Sequence, residues 1–207
     1  MRVSTAAIAA LAIAACAPAA PIASGPFRGA ELDRPLPKPP LVFTDSHGQP
    51  FDLVQATADR VTLLFFGYTH CPDICPVHLA NIAAVLDKLP DDVQREVTVV
   101  FVTTDPARDS LAVLDRWITG FDPRFIGLTG DSATIAEAQA QLGLIPARRT
   151  AAQERNHYGV GHATQVIAFT RDGLARVQYP FGTRQRDWAA DIPKLVEFGR
   201  PPGAGTE

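Results

Sequence analysis

Cys71 and Cys75 are the residues whose type and spacing point most directly to chemistry. They follow an apolar run at residues 61–66 and come just before a helical pattern that Pro76 opens. A helix N-terminus offers unpaired N–H groups and partial positive charge, both of which stabilise a thiolate. Three residues separate the two cysteines, whereas a thioredoxin-type redox motif has two between them. The pattern therefore predicts thiolate chemistry at a turn from strand to helix.

Two sulfurs this close together favour a functional role, because a disulfide between them would close a tiny loop and stabilise the fold little. Thiolates are soft ligands that select Cu(I), zinc or iron–sulfur clusters. Two are too few for structural zinc, which takes four ligands, and for a cluster. With a histidine they would form a three-coordinate site suited to copper; without a metal they would be a redox-active dithiol. The spacing leaves both open. Asp73, between them, is expected to cap the loop or to tune the thiol pKa values.

A third ligand would have to come from one of five histidines. His78 competes because it follows Cys75 by three residues on the same side of the predicted helix. His162 competes because it comes just before a predicted strand, and a loop entering an antiparallel strand can lie beside the first strand-to-helix turn. A satisfied surface position is the simpler interpretation of the others, which are His47, His70 and His157.

The elements that position these residues alternate between strands and helices. A hairpin is predicted at residues 41–44 and 51–53, and a second at 164–170 and 175–179, with buried strands at 61–66, 97–102 and 125–128. Helical spacing is found at 76–89, 110–118, 131–142 and 186–198. This order predicts an α/β fold with a central mixed sheet flanked by helices and an N-terminal β-hairpin.

The ends of the chain differ in composition from this domain, which is predicted at 41–199. Residues 1–16 have a positive charge at Arg2 and a short apolar run, as in a signal peptide. The run ends at Cys16 as in a bacterial lipoprotein leader, which predicts lipidation of that cysteine, with ordinary cleavage as the alternative. Residues 17–40 are rich in proline and alanine and are predicted to be a tether. Residues 200–207 are predicted to be a flexible tail.

The overall charge bears on the partners of the protein. The net charge is −3 and the isoelectric point is about 5.9. A nucleic-acid-binding domain normally has a basic surface, so the composition argues against such a partner. An exported chain meets conditions in which disulfides persist.

Four ordered stretches together resemble the Sco/SenC family of copper-binding assembly proteins. They are residues 67–76, which contain both cysteines, and residues 104–109, 121–130 and 158–162. The similarity covers the domain from about residue 41 to 198. One departure is Gly161, which stands where the family commonly has an acidic residue just before the histidine.

The resemblance implies a thioredoxin-like fold that binds copper, as Cu(I) or Cu(II), through Cys71, Cys75 and His162. It implies a metallochaperone for the CuA centre of cytochrome c oxidase subunit two, or for another copper-accepting protein, and no small-molecule substrate. The expected location is the periplasmic face of a bacterial membrane, with a lipid anchor on Cys16. The alternative is a thiol–disulfide oxidoreductase that uses Cys71 and Cys75 to reduce the partner's cysteines. Oxidation of the pair would consume both sulfur ligands, so redox state would control copper binding.

Overall fold

The computed structural model describes residues 26–150 and 158–198. Its strands are β1 (Ala30–Pro37), β2 (Val42–Asp45), β3 (Pro50–Asp52), β4 (Val61–Gly67), β5 (Val97–Thr103), β6 (Ile126–Thr129), β7 (Arg148–Arg149), β8 (Val160–Gly161), β9 (Val166–Phe169) and β10 (Leu174–Tyr179). Its helices are α1 (Leu53–Ala56), α2 (Ile74–Leu86), α3 (Asp91–Arg95), α4 (Leu111–Thr119), α5 (Ser132–Gln141) and α6 (Gln185–Glu197).

Eight of the strands form one mixed sheet in the order β1-β10-β9-β4-β5-β6-β2-β3. The central strands β4, β5 and β6 are parallel, and β9 pairs with β4 in the antiparallel sense. Every residue of β4 and β5 is buried, as expected where both faces of a sheet are covered. The carboxyl ends of β4 and β5 and the start of β9 therefore lie at the same edge of the sheet. The predicted mixed sheet flanked by helices is confirmed.

Two hydrophobic cores lie on opposite faces of this sheet, because successive strand residues point to opposite sides. On one face Leu63 and Phe65 pack with α2, α4 and α6, including the fully buried Trp188. On the other face Leu64 and Phe66 pack with α1 and α5. Both faces of β4 are thus covered, which fixes the position of the loop that leaves its carboxyl end.

Both predicted hairpins are present, as β2 with β3 and β9 with β10. The predicted helices are also present, although α2 begins at Ile74, two residues before Pro76. Asp131 caps α5, since its side chain accepts from the N–H groups of Ala133 and Thr134. Asp73 stands at the N-cap of α2 but makes no side-chain capping bond, so the expected cap by its side chain is wrong.

The predicted tether reached residue 40, and here the structure corrects its boundary. Residues 30–37 form β1, which pairs with β10 at the edge of the main sheet. Sequence inspection missed this strand because its exposed residues follow no apolar alternation, and its place is set by pairing to a partner far along the chain. The short pair β7–β8 was not predicted either; it joins the two segments on either side of the undescribed residues 151–157.

Several expectations fall outside the described residues. They are the leader with Cys16, the tether up to residue 25, His157 and the tail. In residues 26–150 and 158–198, no helix combines the length and hydrophobicity that crossing a bilayer requires.

Candidate metal centre

The two cysteines lie where β4 passes into α2. Cys71 is in the connecting loop and Cys75 is in the first turn of the helix. A side chain at Gly67 would place its Cβ 2.5 Å from Cys75 Sγ and 2.7 Å from the ring of Phe101. The last residue of β4 is therefore a glycine because the buried thiol occupies the space beside it.

Asp109 holds the start of this loop in place. One of its carboxylate oxygens accepts from the backbone N–H of Thr69 at 2.9 Å, and the other from the Thr69 hydroxyl at 2.6 Å. The hydroxyl of Thr103, at the end of β5, also donates to Asp109, at 2.5 Å. Because this carboxylate is buried, these bonds form away from water and fix the loop two residues before Cys71.

His162 lies directly after β8, on a chain segment separate from the loop with the cysteines. Its Nδ1 lies 2.7 Å from the carbonyl oxygen of Ala163 and its Nε2 lies 3.6 Å from Cys75 Sγ. A carbonyl oxygen can only accept, so Nδ1 carries the proton and the Nε2 lone pair faces the sulfur. The ring packs edge-on against Tyr68, with centroids 5.6 Å apart. The orientation is that of a metal-ligating histidine whose second nitrogen is fixed by a hydrogen bond.

The structure brings these three side chains together. One ligand atom from each of Cys71, Cys75 and His162 lies within 4.8 Å of the others, and no other such group of histidine, cysteine and acidic residues is found in the described part of the chain. The two thiols are free. Cys75 is fully buried and Cys71 is 9% exposed. Two sulfurs and one imidazole nitrogen are soft and borderline donors, which fit copper better than a hard ion such as magnesium.

The thiols have opposite acidities. The pKa of Cys71 is lowered to about 4, first by the hydrogen bond from the Cys75 thiol and then by bonds that include one from the Cys75 N–H. The Cys75 N–H lies 3.5 Å from Cys71 Sγ. The pKa of Cys75 is raised, first by that same thiol–thiolate bond and then by burial. Cys71 is therefore the thiolate of the pair, with helix N–H groups directed at it as the sequence suggested.

The other described histidines lie outside this group. His78, the main competitor for the third ligand, is buried in α2 and its Nε2 lies 2.9 Å from the carbonyl oxygen of Thr164. Burial lowers the pKa of His78. His78 therefore donates a hydrogen bond to the carbonyl oxygen of Thr164, two residues beyond His162. His70 is half exposed and lies 3.5 Å from Asp109, while His47 is exposed in the β2–β3 turn.

A second group of side chains, missed by the sequence analysis, holds the segment that carries His162. The Tyr158 hydroxyl donates to the buried carboxylate of Asp105 at 2.8 Å. The guanidinium of Arg108 pairs with the same carboxylate and lies 3.7 Å from the centre of the Tyr158 ring. We call these residues the Asp105–Arg108–Tyr158 group. Asp105 and Arg108 directly follow β5, whose carboxyl end meets that of β4, and that adjacency is the signal that would have found them.

Comparisons with known proteins agree with this geometry. The sequence profile described as SCO1/SenC matches residues 31–197. A Stutzerimonas stutzeri protein named for copper binding is 33% identical over 147 residues, which cover 70% of each chain. The structure of the apo Sco1 protein from Thermus thermophilus superposes with a TM-score of 0.71 at 32% identity, covering 82% of this chain and 96% of that one. Bradyrhizobium japonicum ScoI with copper bound gives 0.66 at 29% identity, covering 78% and 98%.

These similarities extend over the whole described domain, from β1 to α6. The related proteins have the thioredoxin fold, and solved structures of relatives contain bound copper. The profile covers most of the 207 residues, including all three side chains that converge at the candidate centre. The chain is therefore a member of the SCO1/SenC family.

Proposed function

We propose that this protein is a copper carrier that binds one copper ion through Cys71, Cys75 and His162. The observation that carries the proposal is the convergence of their ligand atoms within 4.8 Å of one another. Two thiolates and a neutral imidazole would give a Cu(I) complex a charge of −1. The amides at the start of α2 offset part of that charge, by up to about 2 kcal/mol for a partly buried site.

The site suits delivery as well as storage. It offers three ligands instead of a closed set of four, so an incoming thiolate can join the coordination sphere before a resident ligand leaves. His162 lies on a segment separate from the cysteines and is half-buried. We propose the CuA centre of cytochrome c oxidase subunit two as the acceptor.

The proposed location follows from the leader. Lipidation of Cys16 would hold the domain at the periplasmic face of a bacterial membrane, with the residues between Cys16 and β1 as the tether. A lipoprotein leader is cleaved on the amino side of the cysteine that carries the lipid, and Cys16 stands at the end of a short apolar run. Metabolic labelling with a fatty acid, in the native chain and in Cys16→Ala, tests this part, and an equally labelled variant would contradict it.

Anaerobic copper titration tests the ligand set. The reduced chain carrying Cys16→Ala, so that Cys71 and Cys75 are its only thiols, should bind one Cu(I). Adding Cys71→Ser or Cys75→Ser should abolish tight binding, and His162→Ala should weaken it by tenfold or more, since a lost ligand is worth at least about 1.4 kcal/mol. His47→Ala is the matched control and should change nothing. Unchanged affinity in His162→Ala would show that the assigned ligand set is wrong.

A second candidate function is thiol–disulfide exchange with a partner. The observation that favours it is the asymmetry of the pair: Cys71 is slightly exposed and Cys75 is fully buried. In such a pair the exposed thiolate attacks a disulfide of the partner and forms a mixed disulfide. The buried cysteine, once deprotonated, then attacks the Cys71 sulfur, which forms a Cys71–Cys75 disulfide and releases the partner with both its cysteines reduced. Cys75→Ser should trap a mixed disulfide through Cys71, whereas Cys71→Ser should trap none. The absence of any trapped species with oxidised subunit two would count against this function.

A further inference from the structure

An open groove of about 530 Å³ begins at His162 and runs along the neighbouring chain segments. We call it the His162 groove. Its wall comes from two stretches, residues 143–148 and 161–165, and its lining residues include Leu144, Ile145, Arg148, Gly161, His162 and Gln165. Ile145 is 79% exposed, although it is a large apolar side chain. An incoming chain can therefore bury apolar surface against Ile145, beside the candidate centre.

Several backbone N–H groups along this groove have no hydrogen-bond partner in the described part of the chain. Pairing of β9 with β10 ends at Val166, and pairing of β9 with β4 ends at Ile167. Within residues 26–150 and 158–198, the N–H groups of Ala163, Thr164 and Gln165 donate no hydrogen bond. A short run of unpaired N–H groups next to a strand can bind an extended polypeptide by strand addition.

The groove has one sign of charge. Among the described residues that line the groove, Arg148 is the one that is charged at neutral pH with histidine neutral. Arg148 is exposed and makes no ion pair with any residue in the described part of the chain. Gly161 pairs with Arg148 across β7–β8 and contributes no side chain to balance it. An acidic side chain on the occupant would therefore be favoured.

We propose that the His162 groove binds an extended segment of the protein that receives copper, with an apolar side chain against Ile145 and an acidic side chain at Arg148. The inference rests on the proposed function, because it places the acceptor beside the copper ligands. If the proposal holds, the groove makes copper transfer specific: it favours partner proteins that have an acidic and apolar stretch near their metal-binding residues. The three copper ligands alone would not distinguish one partner from another.

The test uses two synthetic heptapeptides and no metal. One alternates Asp with Val and the other alternates Lys with Val, both with blocked ends. They are titrated into the reduced, metal-free chain carrying Cys16→Ala, and backbone amide shifts are followed. We expect the Asp peptide to shift the amides of residues 143–148 and 161–165 and to bind at least about tenfold more tightly than the Lys peptide at low salt.

Two variants and a control sharpen the assignment. Arg148→Glu should reverse the preference between the peptides. Gly161→Asp should weaken the Asp peptide while Gly161→Asn does not; both side chains fit, because the nearest atom to a Cβ at 161 is the Arg148 oxygen at 3.8 Å. The control is Arg95→Glu, an exposed arginine at the end of α3, which should change neither peptide.

Several outcomes would overturn the proposal. They are equal binding of both peptides, no binding, shifts that map elsewhere, shifts that depend on protein dilution and so report a second copy, and a groove already filled by another part of this chain. The copper titration separates this proposal from the function on which it rests. If the chain binds one copper but neither peptide, the carrier function stands and the groove proposal falls. If it binds the Asp peptide but no copper, the groove proposal stands and the carrier function falls.

Discussion

Two segments meet at the candidate metal centre, and they are held in different ways. The loop with the cysteines continues from a strand buried on both faces and passes into a helix of thirteen residues. Asp109 fixes it through the backbone and side chain of Thr69. The segment with His162 follows a strand of two residues, and its main anchors are the side-chain contacts of the Asp105–Arg108–Tyr158 group and the bond from His78 to Thr164.

The two segments differ in the free-energy cost of moving them away from the site. Displacing the cysteine loop would expose the core around Cys75 and break bonds to a buried carboxylate, which is costly. Displacing the His162 segment would break the bonds of Tyr158 to Asp105 and of His78 to Thr164 and the two-residue pairing of β7 with β8, without disturbing β4 or the start of α2. The two sulfurs therefore form the fixed part of the candidate site, and the imidazole is the group that can move away at lower cost, as the proposed release of copper to a partner would require. Two aspartates four residues apart hold the two segments: Asp109 binds the cysteine loop and Asp105 binds the His162 segment.

Replacing Asp109 should produce the largest effect, because it disturbs the fixed part of the site. Asp109→Asn keeps the shape but presents an NH₂ group to donors that need an acceptor. We expect the free energy of unfolding to fall by about 2–3 kcal/mol, measured by urea denaturation, together with a loss of copper affinity. Asp115→Asn, a half-exposed carboxylate on α4, is the control and should cost much less. Equal losses in the two variants would refute the role given to Asp109.

Tyr158→Phe should have a smaller effect of a different kind. It removes the hydroxyl bond to Asp105 and keeps the ring against Arg108. We expect a loss of stability near 1 kcal/mol or less and copper release to a chelator about fivefold faster, because the His162 segment leaves more easily. Stopped-flow transfer to the chelator measures the rate. If release is unchanged while stability falls as far as in Asp109→Asn, the two segments do not differ as described.

Replacing Lys38 should have the smallest effect on stability. Because Lys38 lies at the opposite end of β4 from the cysteines, it also serves as a control for copper affinity. Its buried ammonium bonds to Thr57 and Thr62 and has no carboxylate partner among residues 26–150 and 158–198. Burial lowers its pKa from 10.5 to about 8. Between these values the unfolded chain binds more protons than the folded one, so this lysine's contribution to stability rises with pH in that window. Comparison with Lys38→Met isolates that contribution. The difference in unfolding free energy should move in favour of wild type from pH 8 to pH 10, with copper affinity equal in both chains at pH 7.

The sequence predicted the central part of the fold better than its edges. The buried strands and amphipathic helices were recognisable because their burial follows a period of two or four residues or an unbroken apolar run. β1 was assigned to a tether, since an edge strand with exposed side chains shows no such period. The capping alternative for Asp73 failed for a related reason: a capping residue is recognised by its type, but whether its side chain turns back to the helix depends on neighbouring groups.

The chain's own residues determined that two sulfurs would stand where a buried strand becomes a helix, because that depends on local order along about fifteen residues. The spacing along the chain left the histidine open; the resemblance to the Sco/SenC family implied His162, and the tertiary structure places that ring at the sulfur. His78 is three residues from Cys75 in sequence and yet donates to a distant carbonyl, while His162, 87 positions away, directs a lone pair at the sulfur. The physical reason is the antiparallel entry of β9 beside β4: it brings a remote loop to the edge where the thiols lie, and pairing across a sheet cannot be read from spacing along the chain.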